Sequence, residues 1–298
     1  MRLLISIFTV FLILFLAACQ QDDSDSSSIN ENDEITNNES INDKENNEQS
    51  NVDETNDEEL GEEPNEEEEI MEDAQMEAQY RVTENWSLVP IKEGINEKVV
   101  LLTIDDAPDE YALEMAKTLK KLDAGAIFFV NGHFIDTPEE AAILKEIHEM
   151  GFAIGNHTYN HVNLKDLEND QDKQMEEIIG LSDKIEEIIG ERPKFFRAPH
   201  GVNTDFSKQI VTKDKMVLMN WSYGYDYFAP YMDKDKLVTA MVTGEGPEVD
   251  VPYSLLKPGA NLLMHDREWT SAALEEIVIG LREQGYEILD PNLIETIE

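Results

Sequence analysis

The chain has 298 residues and a formal net charge of -42, from 65 acidic against 23 basic residues. So acidic a protein lacks the basic surface that nucleic acid requires, and no nucleic-acid partner is expected. Its single cysteine, Cys19, excludes a disulfide framework and a cysteine-built zinc site.

In chain order, Arg2 precedes an apolar stretch, Leu3 to Leu16, which ends in Leu16-Ala17-Ala18-Cys19. A charged start, a short apolar run and small residues read as an export signal over 1–19, since a comfortable membrane span takes about 20 apolar residues. The ending resembles a bacterial lipoprotein signal. The resemblance implies cleavage before Cys19, lipidation of its thiol and an extracytoplasmic domain anchored to the cell membrane. Residues 20–80 hold 24 acidic residues and one basic residue, Lys44. With few apolar residues and no periodicity they cannot offset the entropy of ordering, so a self-repelling, disordered linker is expected. Fully stretched, it would reach roughly 200 Å.

A folded domain is expected over 81–298, still carrying a net -20. Arg81 to Asn96, with Trp86, reads as a lead-in that packs on the domain. Strands are expected at Val99–Ile104, Ala126–Val130, Phe152–Gly155, Phe195–Phe196, Met216–Asn220, Asn261–Met264 and Glu287–Leu289. Helical spacing falls between them. Glu110–Leu122 carries Leu113, Ala116, Leu119 and Leu122 on one face. The next helix starts at Pro138 behind Thr137 as N-cap, and Gly151 stops it. Asp172–Ile189 closes at Gly190, and Thr204–Val211, Asp235–Val242 and Ser271–Gln284 follow. Thr243–Tyr253 reads as a loop. About seven strands in β/α alternation predict an α/β fold, a distorted or incomplete (β/α) barrel of parallel strands.

Five polar clusters sit just past apolar runs: Asp105-Asp106, His157 with His161, Arg197, Trp221 with Asp226, and His265-Asp266. In a parallel β/α fold the C-terminal strand ends converge on one face, so these clusters are expected to meet. Asp106, His157 and His161 form a sensible donor set for a catalytic divalent metal, because two imidazoles and one carboxylate leave positions open. The competing reading of Asp105-Asp106 is a helix cap and turn. His133 is read as a rim residue or a packed loop histidine, His148 as a surface residue, and Trp269 and Tyr227 as sugar-stacking platforms or core.

Thr103-Ile104-Asp105-Asp106-Ala107-Pro108, His157-Thr158-Tyr159-Asn160-His161, Arg197-Ala198-Pro199-His200-Gly201 and Leu263-Met264-His265 resemble the motifs of the polysaccharide deacetylase family. This is the family of the NodB homology domain, carbohydrate esterase family 4. The resemblance covers about Lys98 to Asp290. It implies a NodB-like barrel in which Asp106, His157 and His161 hold a divalent metal, most often zinc. Asp105 would be the general base, kept ionised and oriented by Arg197, and His265 the general acid. The backbone N–H of His200 would stabilise the oxyanion, and Trp221 and Leu263 would wall the acetyl pocket. The chain departs from the pattern at Ala107, in place of glycine, at His200, in place of a common aromatic, and in the fourth motif. There Asp226 stands at a shifted offset, and either it or Asp266 would orient His265; Asp226 is also counted among the substrate-binding residues.

The expected function is metal-dependent removal of N-acetyl groups from a cell-wall polysaccharide, with peptidoglycan N-acetylglucosamine as the leading substrate and a monomeric enzyme. O-acetyl esterase activity on xylan uses the same site. A catalytically inactive wall-binding lipoprotein is the reading from another class.

Overall fold

In β3 (Val99–Ala107) alternate side chains enter different environments, as the two-residue period of a strand requires. Val100, Leu102 and Ile104 pack into the large core shared with the helices, whereas Val99 and Leu101 enter a smaller apolar cluster inside the curl of the sheet. β4 (Ile127–Val130) repeats this, with Phe128 and Val130 toward the helices and Ile127 and Phe129 inside. The inner positions become polar toward the C-terminal end of β3, running Leu101, Thr103, Asp105.

The computed structural model describes residues 77–297. The expected export signal over 1–19, its Cys19 and nearly all of the acidic linker lie outside the described residues. The remaining elements are β1 (Tyr80–Val82), β2 (Leu88–Pro90), α1 (Ala112–Lys121), α2 (Pro138–Glu149), β5 (Ala153–Asn156), α3 (Gln171–Ile189), β6 (Phe195–Phe196), α4 (Asp205–Lys213), β7 (Val217–Leu218), α5 (Lys234–Thr243), β8 (Ala260–His265), α6 (Glu268–Glu283) and β9 (Glu287–Ile288). The boundary expected between residues 80 and 81 therefore falls inside β1.

The main sheet runs β7-β6-β5-β4-β3-β8, with β9 beside the first residues of β3, and every pair is parallel. It curls into a half-barrel surrounded by helices. β7 is two residues long, against the five expected at Met216–Asn220. The chain leaves β6 there and crosses toward β8, where Ser222 donates to the Asn261 carbonyl and Tyr223 bridges Leu262. That bridge is what closes the curl beside the site.

The lead-in is an antiparallel hairpin of β1 and β2. Its Tyr80 and Leu88 join Leu101, Phe129, Phe195 and Leu289 in the inner cluster, which seals one end of the curl. Helix boundaries follow local chemistry. Thr137 and Glu140 form a reciprocal capping box at the start of α2, and Gly190 ends α3 in the left-handed conformation at φ 84°. No helix among the described residues is long and apolar enough to cross a membrane.

Candidate active site

Four strands, β3, β5, β6 and β8, each bring a polar residue to the site at or just past their C-terminal ends. Two residues beyond the inner Thr103 lies Asp105; beyond Phe195 lies Arg197; beyond Leu263 lies His265; His157 follows β5 directly. The alternation that buries apolar side chains lower down thus aims these polar groups at one point. Asp105 and His265 are register partners on β3 and β8, so they stand side by side across one strand spacing. A cavity of about 520 Å³ opens over them, walled in part by Trp221, Tyr227, Met232, Leu263 and Trp269.

Arg197 is fully buried beneath this cavity. Its Nη1 donates to Asp105 Oδ1 at 2.6 Å and to Thr103 Oγ1 at 2.8 Å, and its Nη2 donates to the Asn220 carbonyl at 2.9 Å. The guanidinium also lies 4.3 Å from the Phe129 ring centroid. A guanidinium keeps its charge when buried, so it needs such complete pairing; left unpaired it would strongly destabilise the site. Burial pushes the Asp105 carboxyl above the usual carboxylate range, with Arg197 opposing the shift.

Asp106, His157 and His161 come together, one carboxylate oxygen and two ring nitrogens lying within 4.8 Å of one another. Asp106 Oδ1 is 3.3 Å from His161 Nε2 and 3.7 Å from His157 Nε2. It is buried and has no hydrogen-bond partner, a costly state for a carboxylate oxygen that a cation would relieve. His157 Nδ1 lies 2.7 Å from the Arg197 carbonyl, which fixes the proton on Nδ1 and turns the Nε2 lone pair toward the cluster. Burial lowers the His157 pKa to about 3 and lowers that of His161 as well, so both rings are neutral donors. The residues fit a divalent metal.

The local backbone is unusual in the same place. Asp106 (φ 59°), Thr158 (φ 68°), His161 (φ 53°) and His200 (φ 58°) all adopt the left-handed region. For a β-branched residue such as Thr158 this is strained, and strain of this kind persists only where the surroundings enforce it. Glu177 of α3 is one enforcer: its two oxygens accept from the Asn160 backbone N–H and side-chain amide, both at 2.8 Å. Asn131 is another, its amide donating to the His157 and Thr158 carbonyls. Ala107 closes β3, and the left-handed residue is Asp106 beside it, so the glycine of the usual motif has no conformational task here.

His265 Nδ1 lies 2.9 Å from Asp226 Oδ1, and the His265 backbone N–H donates to Asp226 Oδ2 at 2.6 Å. Burial opposes the imidazolium, but the Asp226 carboxylate outweighs it and holds His265 at about 9. Thr270 Oγ1 and Trp269 Nε1 bind the Asp226 carboxylate and carbonyl. Asp226 is among the residues lining the cavity, but it is fully buried, and His265 and Thr270 engage both of its carboxylate oxygens.

Asp266 is not the partner of His265. Its carboxylate accepts from the N–H groups of Asp109, Tyr111 and Ala112 at 2.7, 2.7 and 3.0 Å, capping the start of α1 from the end of β8. Trp221, Leu263 and His200 do line the cavity. His133 is not among the lining residues; it is exposed, and its Nδ1 lies 3.0 Å from the Tyr159 carbonyl. His148 is half-buried, 3.7 Å from Glu191. Trp269 and Tyr227 both face the cavity, Tyr227 being 43% exposed.

Arg267 is absent from the sequence expectations. Its Nη2 donates to Asp106 Oδ2 at 2.7 Å and its Nη1 to the Asp266 carbonyl at 2.7 Å. The signal was available, since Arg267 follows His265-Asp266 at a strand end, but nothing in the spacing pairs it with a residue 161 positions away.

A family model described as polysaccharide deacetylase matches residues 92–219. A peptidoglycan-N-acetylglucosamine deacetylase of Bacillus cereus is 31% identical over 200 residues, which span 65% of this chain and 69% of that protein. The crystal structure of a CE4 family pseudoenzyme from Bacillus anthracis superposes with a TM-score of 0.57 at 27% identity, covering 67% of each chain. The peptidoglycan deacetylase PdaC of Bacillus subtilis gives a TM-score of 0.55 at 26% identity, over 66% of this chain and 90% of its own.

Proposed function

The chain belongs to the polysaccharide deacetylase family, and from that premise we propose that it hydrolyses the N-acetyl groups of peptidoglycan N-acetylglucosamine in a metal-dependent reaction. The observation that carries this reading is the buried, partnerless Asp106 Oδ1 facing two neutral histidine nitrogens. It occurs one residue from a carboxylate and one strand from a charged imidazole. Peptidoglycan is favoured among N-acetylated polysaccharides because several relatives carry that substrate in their names.

Asp106, His157 and His161 would hold the ion, with zinc favoured by a donor set of two imidazoles and one carboxylate. Such an ion supplies Lewis-acid activation of water and of the acetamide carbonyl. Asp105 accepts a proton from the attacking water; its raised pKa makes it a stronger base than an ordinary carboxylate, and Arg197 fixes its orientation. His265 has Nδ1 committed to Asp226, so Nε2 is the nitrogen that delivers a proton to the leaving amine. The His200 backbone N–H would donate to the oxyanion, and Trp221 and Leu263 would wall the acetyl methyl. The products are acetate and a free amino sugar.

The test is acetate release from purified peptidoglycan, with and without a chelator and added zinc. Acetate that vanishes with chelator and returns with zinc is expected. No acetate from peptidoglycan by protein that binds zinc would overturn the reading and favour a wall-binding role. We also propose that Cys19 carries a lipid that holds the enzyme at the outer face of the cell membrane. Cys19→Ser should then move the protein from the membrane fraction to the medium; retention in the membrane fraction would count against the anchor.

A further inference from the structure

Two adjacent aspartates in this site each have their own arginine. Asp105 pairs with the buried Arg197 at 2.6 Å. Asp106 pairs with Arg267 at 2.7 Å, and that guanidinium is 36% exposed. The second pair has no counterpart in the motifs that identify the family, and its geometry is asymmetric. Arg267 takes Asp106 Oδ2 alone, while Oδ1 stays buried, bonded to nothing and turned toward His157 and His161.

Arg267 is itself held in place. Its Nη1 binds the Asp266 carbonyl, and Asp109 Oδ2 lies 3.8 Å from the same nitrogen. Asp266 in turn is fixed by three N–H groups at the start of α1. The orientation of the Asp106 carboxylate thus inherits the rigidity of the junction between β8 and α1. Asp106 also needs such a hold more than most residues, because its backbone is left-handed at φ 59°. A carboxylate whose outer oxygen is engaged by a charge-assisted hydrogen bond offers a metal only its inner oxygen.

We propose that Arg267 is a positioning residue for the metal centre: it holds Asp106 so that a single oxygen faces the ion, which keeps the remaining coordination positions open for water and substrate. This rests on the metal-dependent reading above, and zinc binding can be measured without any turnover.

The experiment compares the purified full chain with Arg267→Ala and Arg267→Lys. Zinc affinity is read by competition with a chromogenic chelator at neutral pH, and the visible spectrum is read after loading with cobalt(II). Circular dichroism first establishes that each variant is folded. We expect Arg267→Ala to bind zinc about tenfold or more weakly, the usual range for losing a partner behind a metal ligand. Its cobalt spectrum should change as Asp106 becomes free to turn both oxygens inward. Arg267→Lys, which keeps a cationic donor, should recover most of the affinity. Equal or tighter zinc binding by Arg267→Ala overturns the inference, whatever its cobalt spectrum. So does a raised KM for peptidoglycan fragments with zinc affinity intact, which would make Arg267 a substrate contact. Wild-type protein that binds no zinc fails the metal-dependent reading itself, whereas zinc bound equally by wild type and Arg267→Ala fails this inference alone.

Discussion

At the scale of single residues, the site is a set of charges arranged so that each group holds the protonation state its task needs. His265 is the clearest case. Burial alone would strip its proton, and the adjacent Asp226 carboxylate holds it at about 9. The acid limb of a pH profile should therefore follow Asp105, whose raised pKa places the loss of base above the ordinary carboxylate range, and the alkaline limb should follow His265 near 9. Asp226→Asn leaves burial acting on His265 and removes the counter-charge. We expect its alkaline limb to fall by about one pH unit or more. Its kcat/KM should drop by roughly 10²-fold or more, since the amide also offers the wrong partner to Nδ1. Profiles of kcat/KM for both proteins decide this; an unmoved alkaline limb would remove His265 from the role of acid. Much of this site was legible in sequence, because Asp105, Asp106, His157, Arg197 and His265 occupy strand ends whose order the apolar runs announce. The division of labour between Asp226 and Asp266 was not. Both are buried aspartates near one histidine, and only the three-dimensional course of α1, whose free N–H groups claim Asp266, separates them.

Elements were legible where one local interaction fixes them. Thr137, Gly151 and Gly190 mark helix ends in the sequence and do so in the fold. The two-residue β7 was not, because the apolar run Met216 to Met219 has strand character but leaves β6 early to reach β8. The β1–β2 hairpin was read only as a packed lead-in, since three-residue strands carry too little period to recognise. Its attachment depends on one close approach. Gly259 has φ 76°, its carbonyl accepts from the Leu88 N–H at 2.7 Å, and a Cβ there would fall 1.9 Å from the Leu88 carbonyl oxygen. Gly151 also has a positive φ, 95°, but nothing lies within 4 Å of a Cβ placed on it. Alanine at either site meets the left-handed penalty of about 1–2 kcal/mol. Alanine at 259 must also push the hairpin off the inner cluster, adding roughly 1–3 kcal/mol. Denaturant titration should therefore show Gly259→Ala losing at least about twice the stability of Gly151→Ala. Equal losses would mean that the hairpin yields freely and does not seal the curl.

Across the whole molecule, the metal donors tie together parts of the chain that the sheet joins only loosely. Asp106 ends β3, whereas His157 and His161 flank a loop beyond β5 with left-handed Thr158 inside it, and β4 lies between the two strands. Without an ion, the buried Asp106 Oδ1 and that strained loop are both costs that the fold must offset elsewhere. An ion bound only by the native state converts its binding energy into stability, about 2.7 kcal/mol when free metal stands at a hundred times Kd. For a folded unit of this size each kcal/mol moves the melting temperature by about 2–4 °C. Chelation should therefore lower the Tm by roughly 5–10 °C, and stoichiometric zinc should restore it. His157→Ala should melt at the chelated temperature and ignore added zinc, because it lacks a donor. Asp105→Asn should keep most of the zinc-dependent rise, because Asp105 Oδ1 is bound by Arg197 and the residue lies outside the donor set. Scanning calorimetry of the three proteins, each with chelator and with zinc, distinguishes a metal that organises the fold from one that merely visits it. A wild-type Tm indifferent to both additions would mean that the donor cluster holds no ion.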